Sequence, residues 1–331
     1  VIATTPADKN SLKIKKPKSI AAGIPAATSS LLHGIKKMGP TKTVKTLTTV
    51  NQENGFDCPG CAWPDPQHSS AFEFCENGAK AVADEAMKGG VNPEFFSKYT
   101  VQELSQKSDY WLNNQGRITH PMILEKGSDK YSPIDWDDAI QLIGERIKES
   151  NNPDKSVFYT SGRTSNEAAF LLQLLARIYG CNHINSCSFY CHQASGIGLS
   201  ATVGTGTATI RYADLHTADT IFVFGANPAS NHPRFVKVLL ECRQRGGKVI
   251  VVNPAREAGL VRFASPGNFR SMIAGGGEVA SHYVQPHVGG DVAFIVGVAK
   301  CLLNNDGVES LFISNHTEGF EAYRDFVEQT R

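Results

Sequence analysis

Two regions of the chain alternate between short, continuously apolar runs and longer amphipathic segments. In the first, an apolar run near 156–160 is followed by a helical pattern that ends in an apolar stripe over 170–179. In the second, apolar runs at 220–224 and 248–252 are separated by another helical pattern. Continuous apolar runs of this length are typical of parallel strands that are buried on both faces. The pattern therefore predicts an α/β fold across residues 110–300, with a mostly parallel sheet flanked by helices.

Further segments have the apolar spacing of amphipathic helices. Trp136, Ile140, Ile143 and Ile147 recur every three or four positions, and Asp135 stands where a helix N-cap is expected. Helical segments are also predicted over 76–87, 95–104, 235–245, 292–303 and, in part, 311–331. Residues 1–54 are rich in Lys, Thr, Ser, Ala and Pro with little apolar periodicity, which predicts a loosely packed, extended N-terminal arm.

Polar loops follow the predicted strands, at the edge where α/β sheets bind ligands. The chain contains neither G-x-G-x-x-G nor G-x-x-x-x-G-K-[ST], which excludes a simple NAD-binding or P-loop interpretation. The predicted cleft is lined by Ser161, Arg163, Asn166, Asn227, Asn231, His232, Asn253 and Arg256. Asp291 after Gly289 and Gly290 is either the N-cap of the next helix or a ligand carboxylate, and the spacing alone favours the cap.

Composition restricts the class of protein. The chain has 331 residues, of which 41% are hydrophobic, enough for about two domains. Its 33 basic and 32 acidic side chains nearly balance, which argues against nucleic acid or an anionic membrane as a partner. Eight cysteines without a recognisable secretory signal indicate a reducing compartment, and the cytoplasm is the expected one. No window approaches the roughly 20 apolar residues of a membrane span.

Three cysteines form a first metal signal. Cys58 and Cys61 flank a Pro-Gly turn, and Cys75 follows in the pattern C-x2-C-x13-C. Iron–sulfur clusters and structural zinc both use such pairs but normally take four ligands, and His68 is the nearest candidate for the fourth position. An iron–sulfur cluster, a zinc site and inert thiols all remain open at this point. A thioredoxin-type redox pair is less well supported, because no strand precedes the motif.

The stretch 185–210 is where the sequence concentrates its chemistry. Cys191 offers a soft thiolate ligand for a thiophilic metal, and the adjacent His192 can transfer a proton near neutral pH. Cys187, four residues earlier, is interpreted as a structural thiol. Small residues follow, including glycines at 196, 198, 204 and 206. We interpret these glycines as exposing main-chain N–H groups to phosphate oxygens, an arrangement that suits a loop better than a packed helix.

Taken together, the motifs resemble the molybdopterin-dependent oxidoreductases, the family of the formate dehydrogenases, and most closely its YdeP-like subgroup. The stretches that carry the resemblance are CPGCAWPDP (58–66), CENGAKA (75–81), GRITHP (116–121), FYTSGRTSNEAAF (158–170), CSFYCH (187–192), GANPASNHPR (225–234), VVNPARE (251–257) and GGD (289–291). They cover residues 55 to about 320 in order and spacing.

The resemblance implies doubly wound, mostly parallel α/β sheets of the formate dehydrogenase and DMSO reductase type, domains I to III, incomplete at the C-terminus. It implies an arm over 1–54, an iron–sulfur-type domain over 55–110, the first part of an α/β domain over 111–180 and a molybdopterin guanine dinucleotide-binding domain over 181–331. The implied cofactors are molybdenum with two molybdopterin guanine dinucleotides and a [4Fe–4S] cluster. Members of the family act on a small molecule, and an electron-transfer partner is also implied.

Residue roles follow from the matching motifs. Cys191 falls on the position of the molybdenum ligand and His192 on that of the proton acceptor, while Cys58, Cys61 and Cys75 match three cluster ligands. Asp291 resembles the acid that binds a guanine edge, because a carboxylate can accept both guanine N–H donors. The implied cofactor-binding residues are Ser161, Gly162, Arg163, Asn166, Glu167, Gly225, Asn227, Asn231, His232, Asn253, Arg256, Gly290 and Asp291.

The chain also departs from the family pattern. One of the usual four cluster cysteines is missing, and Asn77 stands where a lysine commonly lies between cluster and pterin. The chain looks like an N-terminal portion of a longer protein and is expected to be inactive as that fragment alone. Two other hypotheses remain: a non-catalytic fragment that binds zinc or an iron–sulfur cluster and has vestigial cofactor sites, and a cysteine nucleophile at Cys191. The second is weaker, because an immediate neighbour such as His192 rarely points at the same thiol.

Overall fold

The computed structural model describes residues 16, 18–61, 63–65, 70–265, 269–273 and 275–330. Within them the chain divides into two compact units. Unit 1 contains residues 24–212, and unit 2 contains residues 18–23 and 213–330. The domain boundaries predicted at 54, 110 and 180 stay predictions.

The strands are short and mostly parallel. They are β1 Ala21–Ala22, β2 Gly90–Val91, β3 Arg117–Ile118, β4 Met122–Ile123, β5 Ser132–Pro133, β6 Phe158–Thr160, β7 Ile184–Ser186, β8 Thr220–Phe224, β9 Lys248–Val252, β10 Arg262–Ala264, β11 Gly277–Glu278 and β12 His282–Val284. In the described part of the chain, β4 pairs antiparallel with β5 and β10 with β11. The other strand pairs are parallel, as the sequence predicted.

Helices make up most of the remaining regular structure. They are α1 Gly23–Met38, α2 Pro40–Thr49, α3 Glu76–Glu85, α4 Pro93–Lys98, α5 Val101–Ser105, α6 Asp109–Gln115, α7 Trp136–Glu149, α8 Asn166–Tyr179, α9 Cys187–Val203, α10 Tyr212–Thr217, α11 Pro228–Asn231, α12 Pro233–Gln244, α13 Ala258–Val261, α14 Phe269–Ile273, α15 Asp291–Asn304, α16 Ser310–His316 and α17 Phe320–Gln329. None of these described helices is both long enough and apolar enough to cross a membrane.

The three strands predicted near 156–160, 220–224 and 248–252 are present as β6, β8 and β9. They do not share one sheet, however. The strand β6 pairs with β7 in unit 1, whereas β8, β9 and β12 form a parallel sheet in unit 2. The prediction of a single sheet was therefore wrong, because apolar runs mark buried strands but do not specify their partners.

The core of unit 2 lies between its parallel sheet and α12. Alternate residues of β8 and β9, such as Val223 and Val251, face buried side chains of α12, and Leu239 is fully buried among them. Continuous apolar strands and the apolar stripe of one helix thus bury a common surface. This packing holds the carboxyl ends of the strands at a fixed edge.

We expect Leu239→Ala to lower the free energy of unfolding of unit 2 by about 2–5 kcal/mol, because it opens a cavity in a fully buried site. Urea denaturation followed by circular dichroism measures this loss. The matched control is Leu311→Ala on α16, where the side chain is 72% exposed and the change should stay within about 0.5 kcal/mol. Equal losses from the two variants would contradict the assignment of this core.

The prediction of an extended N-terminal arm over 1–54 was wrong for the residues that form α1 and α2. Met38 and Val50 are almost fully buried, and Thr43 is buried with its hydroxyl donating to the carbonyl oxygen of Gly39 at 2.7 Å. Small residues and threonines that satisfy their own hydroxyls can pack a helix tightly without a strong apolar period. Residues 1–15 and 17 lie outside the described residues.

A buried ion-pair network joins α1, α3 and α6 in unit 1. His33 Nε2 donates to Asp84 Oδ1 at 2.8 Å, Lys37 Nζ lies 3.5 Å from the same oxygen, and Asn113 Nδ2 donates to Asp84 Oδ2 at 3.2 Å. Partial burial alone raises the pKa of the Asp84 carboxyl. The hydrogen bonds from His33 and Asn113, followed by the charges of His33 and Lys37, outweigh that effect and hold the pKa below its usual range.

A depressed carboxyl pKa stabilises the fold above the unfolded-state pKa of about 3.9, and the stabilisation disappears as the pH falls through the folded pKa. We therefore expect Asp84→Asn to lower the free energy of unfolding by about 1 kcal/mol at pH 7, and the difference from wild type to shrink as the pH falls below about 3.9 and through the folded-state pKa. Urea denaturation at several pH values measures it. Glu94→Gln, which removes a fully exposed pair with Lys98, is the control and should change little. A difference for Asp84→Asn that persists unchanged at pH 3 would contradict the network's role.

The helix predicted from Trp136, Ile140, Ile143 and Ile147 is α7, but its apolar stripe is not covered by the described residues. Trp136, Ile140 and Ile143 are each more than half exposed. Asp135 occupies the N-cap position, yet its side chain makes no capping hydrogen bond. The apolar period thus predicted the helix correctly, and it also defines an exposed apolar surface on α7.

Candidate functional site

The three parallel strands of unit 2 end at one edge. Phe224 at the end of β8 and Val284 at the end of β12 both pair with Val252 at the end of β9. The loops that follow these strands therefore leave the sheet side by side. This is the edge at which ligands bind in doubly wound α/β sheets, and it places the predicted loops 225–234 and 253–256 next to each other.

Asn253 ties these two loops together. Its side chain is buried, donates through Nδ2 to the carbonyl oxygen of Ala226 at 3.2 Å and accepts from the backbone N–H of Ala255 at 3.0 Å. Its backbone N–H donates to the carbonyl oxygen of Val284 at 3.0 Å. Much of its hydrogen-bonding capacity is therefore used to fix the loops rather than offered to a ligand.

Arg256 remains available at this edge. It is exposed, and its guanidinium lies over the ring of Tyr283, 5.8 Å from the centroid. The Tyr283 hydroxyl donates to the carbonyl oxygen of Ala255 at 2.8 Å and accepts from the backbone N–H of Glu257 at 3.0 Å. Burial raises the pKa of the Tyr283 phenol, which keeps it neutral as a support for the cation. A guanidinium held in this way suits a phosphate group.

The loop after β8 is open at its start. Gly225 has a φ of +57°, and a Cβ atom there would meet no other atom within 4 Å. Asn227 follows at the N-cap position of α11 without a side-chain capping bond, Asn231 ends that helix and is exposed, and the exposed His232 comes next. The predicted residues of this loop thus lie on one short segment whose backbone is accessible.

Asp291 is the first residue of α15, and Gly290 occupies the N-cap position. The interpretation of Asp291 as the N-cap was therefore wrong, because the glycine pair shifts the start of the helix by one residue. The Asp291 carboxylate makes no hydrogen bond or ion pair within the described residues. It stands in the first turn of a helix, where the backbone dipoles favour a negative charge.

Unit 1 has a second edge of the same kind. Thr160 at the end of β6 pairs with Ser186 at the end of β7, so the loop 161–165 and the start of α9 lie side by side. Gly162 in that loop approaches Cys187 closely, because a Cβ atom built on Gly162 would lie 2.8 Å from Cys187 Sγ. The sequence did not predict this contact between the Gly-containing loop and the cysteine helix.

The rest of the loop leads into α8. Ser161 and Arg163 are exposed, and the backbone N–H of Arg163 donates to Ser161 Oγ at 3.2 Å. Ser165 caps α8 by accepting from the backbone N–H of Ala168 at 3.2 Å, and Asn166 and Glu167 form the exposed first turn. Two helix N-termini, those of α8 and α9, therefore follow neighbouring strand ends, an arrangement that favours an anionic ligand.

Cys187 begins α9, and Cys191 lies one turn further along the same helix. Residues four apart share a helix face, so both thiols lie on one side of α9. Cys187 is half-buried against Gly162, whereas Cys191 and His192 are exposed. The difference in burial agrees with a packed Cys187 and an accessible Cys191, and the roles of Cys191 and His192 stay predictions.

The glycines after Cys191 do not all form the predicted loop. Gly196 and Gly198 lie inside α9, where their N–H groups are directed along the helix, while Gly204 ends the helix with a φ of +78°. The expectation of open main-chain donors at 196 and 198 was therefore wrong. The helix forms because a run of Ala, Ser, Leu and Gly offers no strong competing turn, even though glycine weakens a helix by about 1 kcal/mol.

Two of the three cysteines of the iron–sulfur motif, Cys58 and Cys75, converge on Gly78. A Cβ atom there would lie 2.8 Å from Cys58 Sγ and 3.5 Å from Cys75 Sγ. Cys75 caps α3 by accepting from the backbone N–H of Gly78 at 3.2 Å. Burial raises the pKa of the Cys75 thiol, nearby negative charge on Cys58 and Cys61 adds to the rise, and the Gly78 N–H opposes it.

The close approach of these two thiols to Gly78 does not by itself define a metal site. No group of three or more His, Cys, Asp or Glu side chains in the described part of the chain is arranged to hold a metal ion. The prediction that all three cysteines lie within one ligation radius stays a prediction. His68, the predicted fourth ligand, lies outside the described residues. None of the described cysteines forms a disulfide.

Two features of these sites were missed from sequence. Gly78 is required to be small by two sulfur atoms, and the C-x-x-G spacing after Cys75 was a signal that could have identified it. Cys187 meets the Gly162 loop, which the four-residue spacing to Cys191 could have suggested. The prediction that the loops of both units line a single cleft stays a prediction.

A family model described as molybdopterin oxidoreductase matches residues 117–282, about half of the chain. The chain is 46% identical to an uncharacterized oxidoreductase of Mycobacterium tuberculosis over 324 residues, which are 96% of this chain and 42% of that protein. It is 41% identical to protein YdeP of Escherichia coli over 316 residues, 92% of this chain and 42% of that protein.

A more distant relative is the alpha subunit of a formate dehydrogenase from Methanocaldococcus jannaschii. It is 27% identical over 244 residues, which are 72% of this chain and 33% of that subunit. The chain therefore spans less than half the length of these curated relatives.

Proposed function

Because the chain belongs to the molybdopterin oxidoreductase family, we propose that it is part of an enzyme that carries out a two-electron, proton-coupled redox reaction on a small molecule, in the manner of a formate dehydrogenase. The observation that carries the proposal is the close approach of Gly162 to Cys187 at the carboxyl ends of β6 and β7. Cys187 lies one helical turn from the exposed Cys191. This edge lies within the matched residues 117–282.

The residues at the two strand edges suit a molybdenum cofactor with two pterin guanine dinucleotides. Gly225 leaves backbone free of neighbouring side-chain atoms, and the N-termini of α8, α9 and α15 favour anionic groups. Arg256 offers a guanidinium for phosphate, and the Asp291 carboxylate can accept the two N–H donors of a guanine edge. When bound, the cofactor supplies the two-electron chemistry.

The chain's own residues bind the metal and move the proton. In the proposal, Cys191 supplies a soft thiolate ligand from the exposed face of α9, and Cys187 packs against Gly162 and fixes the start of that helix. His192, the next residue, accepts the substrate proton through its imidazole and passes it to solvent, to which it is exposed.

An iron–sulfur cluster at Cys58, Cys61 and Cys75 belongs to the proposal as the route by which electrons reach a partner protein. Its support is the convergence of two thiols on Gly78 and the buried position of Cys75 at the start of α3. A fourth ligand has to come from elsewhere. Cysteines that form no disulfide agree with a reducing compartment such as the cytoplasm.

Release of the pterin tests the proposal. Protein purified without oxygen is denatured in acid, the oxidised pterin is detected by fluorescence, and guanosine monophosphate is measured after hydrolysis of the pyrophosphate. We expect both products from the wild-type protein, and we expect Arg256→Ala together with Asp291→Ala to lower the yield of guanosine monophosphate by about tenfold. Pterin without any guanosine monophosphate would rule out the dinucleotide form, and the absence of both would reject the cofactor.

A further inference from the structure

A groove in unit 1, away from the strand edges of this unit, carries an unusual set of cationic and aromatic side chains. It has a volume of about 630 Å³ and is lined by Lys36 and Lys37 at the end of α1, by Lys88, and by Tyr110 and Trp111 on α6. Its remaining lining residues carry no acidic side chain. We call this feature the lysine groove.

The charge of the lysine groove is only partly neutralised by its surroundings. Asp84 lies 3.5 Å from Lys37 Nζ, but its carboxylate is already engaged by His33 and Asn113. Lys36 and Lys88 form no ion pair within the described part of the chain. A groove with two exposed ammonium groups and no carboxylate in its lining attracts an anion that carries more than one negative charge.

Lys37 is an independent indication of a ligand. Its side chain is only 7% exposed, and its Nζ donates no hydrogen bond to any described residue. A buried ammonium with unused donors is costly unless a further acceptor reaches it. Since Lys37 lines the groove, its positive charge adds to the attraction of an anion bound there.

The backbone around the groove is built to hold these lysines. The N–H of Lys88 donates to the carbonyl oxygen of Lys37 at 3.2 Å, which joins the two lysine-bearing segments. Gly39 has a φ of +85°, and a Cβ atom there would lie 3.3 Å from Lys88 Nζ. The absence of a side chain at Gly39 thus makes room for the Lys88 ammonium.

Two aromatic side chains, Tyr110 and Trp111, also line the groove. Tyr110 is 72% exposed, while Trp111 is anchored by ring contacts with Phe95 and Tyr99 at centroid distances of 6.3 and 5.8 Å. An exposed ring next to a fixed one can stack against a planar group at little conformational cost. Cationic and aromatic side chains therefore line the same groove.

We propose that the lysine groove binds a small phosphorylated molecule with a planar ring, its phosphates at the exposed Lys36 and Lys88 and its ring against Tyr110. Phosphates match the several ammonium donors better than a single carboxylate does, because they present more charge and more acceptor oxygens. The site is separate from the residues proposed for the molybdenum cofactor and does not depend on that proposal.

Titration with adenosine diphosphate, followed by tryptophan fluorescence, tests the inference. We expect quenching of the tryptophan fluorescence with a Kd of about 0.1–1 mM. The affinity should fall severalfold when the salt concentration is raised from about 50 to about 300 mM. The exposed double variant Lys36→Met with Lys88→Met should weaken binding at least tenfold. The control Lys155→Met, an exposed lysine elsewhere in unit 1, should leave it unchanged.

Two further variants locate the binding. Trp111→Phe should abolish most of the fluorescence change, and Asp291→Ala, in the proposed guanine site, should leave the affinity for adenosine diphosphate unchanged. The inference is overturned if the double lysine variant binds as well as wild type, if Asp291→Ala removes the binding instead, or if pyrophosphate alone binds as tightly as adenosine diphosphate. Circular dichroism of each variant confirms that the fold is retained.

Discussion

Cys191→Ser is expected to lower kcat by about 10³-fold or more while the fold survives, when the substitution is made in the full-length enzyme. Serine replaces a soft thiolate by a hard hydroxyl that is hardly ionised at neutral pH, so a thiophilic metal loses its protein ligand. A loss of this size corresponds to about 4 kcal/mol of transition-state stabilisation. Turnover at saturating substrate, normalised to bound molybdenum, measures it.

The matched control is Cys187→Ser, on the same face of the same helix. Cys187 is half-buried against Gly162, and serine is close to it in size, so we expect activity within about threefold of wild type. A change in the molybdenum signal of electron paramagnetic resonance should accompany the variant at 191 alone. Equal losses from the two variants, or full activity of Cys191→Ser, would show that the metal ligand has been misplaced.

Gly162→Val is expected to reduce the molybdenum and pterin content by about tenfold. The added Cβ would lie 2.8 Å from Cys187 Sγ, closer than two such atoms can approach, and the short cysteine side chain has little freedom to move away. Either the loop 161–165 or the start of α9 must shift, and both belong to the proposed cofactor edge. Metal analysis of protein expressed and purified in parallel with wild type measures the content.

The control for this substitution is Gly144→Ala in the middle of α7. A Cβ atom at Gly144 meets nothing within 4 Å, and alanine in a helix interior stabilises by up to about 1 kcal/mol. Its cofactor content should match that of wild type. If Gly162→Val also retains its full content, the close approach of loop and helix has no part in cofactor binding.

The sequence predicted the fold class because its strongest signals are local. The runs 220–224 and 248–252 are continuously apolar and match β8 and β9 residue for residue, and the glycine pair at 289–290 correctly preceded a helix. Strand partners could not be predicted in the same way. Apolar runs say that a strand is buried, whereas the separation of β6 from β8 and β9 depends on contacts that are distant in sequence.

The wrong predictions for α1, α2 and α9 have a common cause. In α1 and α2 the packing surface mixes a few apolar side chains, such as Met38 and Leu47, with hydroxyl side chains such as Thr43, which leaves a weak apolar period to detect. In α9, Gly196 and Gly198 were interpreted as loop residues because glycine disfavours helix, yet that preference costs only about 1 kcal/mol and the surrounding Ala, Ser and Leu residues offer no strong competing turn. Local propensity was therefore the wrong guide in both places.

The sequence predicted the residues of the candidate site but not the contacts among them. The polar residues after β8 and β9 do lie at adjacent strand ends, since parallel strands in register bring their carboxyl ends together. The burial of Asn253 and the contact between Gly162 and Cys187 depend on side-chain positions that no spacing rule contains. The same holds for α7, whose apolar stripe is visible in the sequence although its exposure in the structure is not.

Elemental analysis tests directly whether this chain binds molybdenum. Protein is expressed with molybdate, iron and zinc all supplied, purified without oxygen and analysed by inductively coupled plasma mass spectrometry. We expect molybdenum together with iron, with the molybdenum reduced in Cys191→Ser and retained in Cys187→Ser. Zinc alone, held at Cys58, Cys61 and Cys75 with no molybdenum or pterin, would contradict the account and support a non-catalytic metal-binding protein.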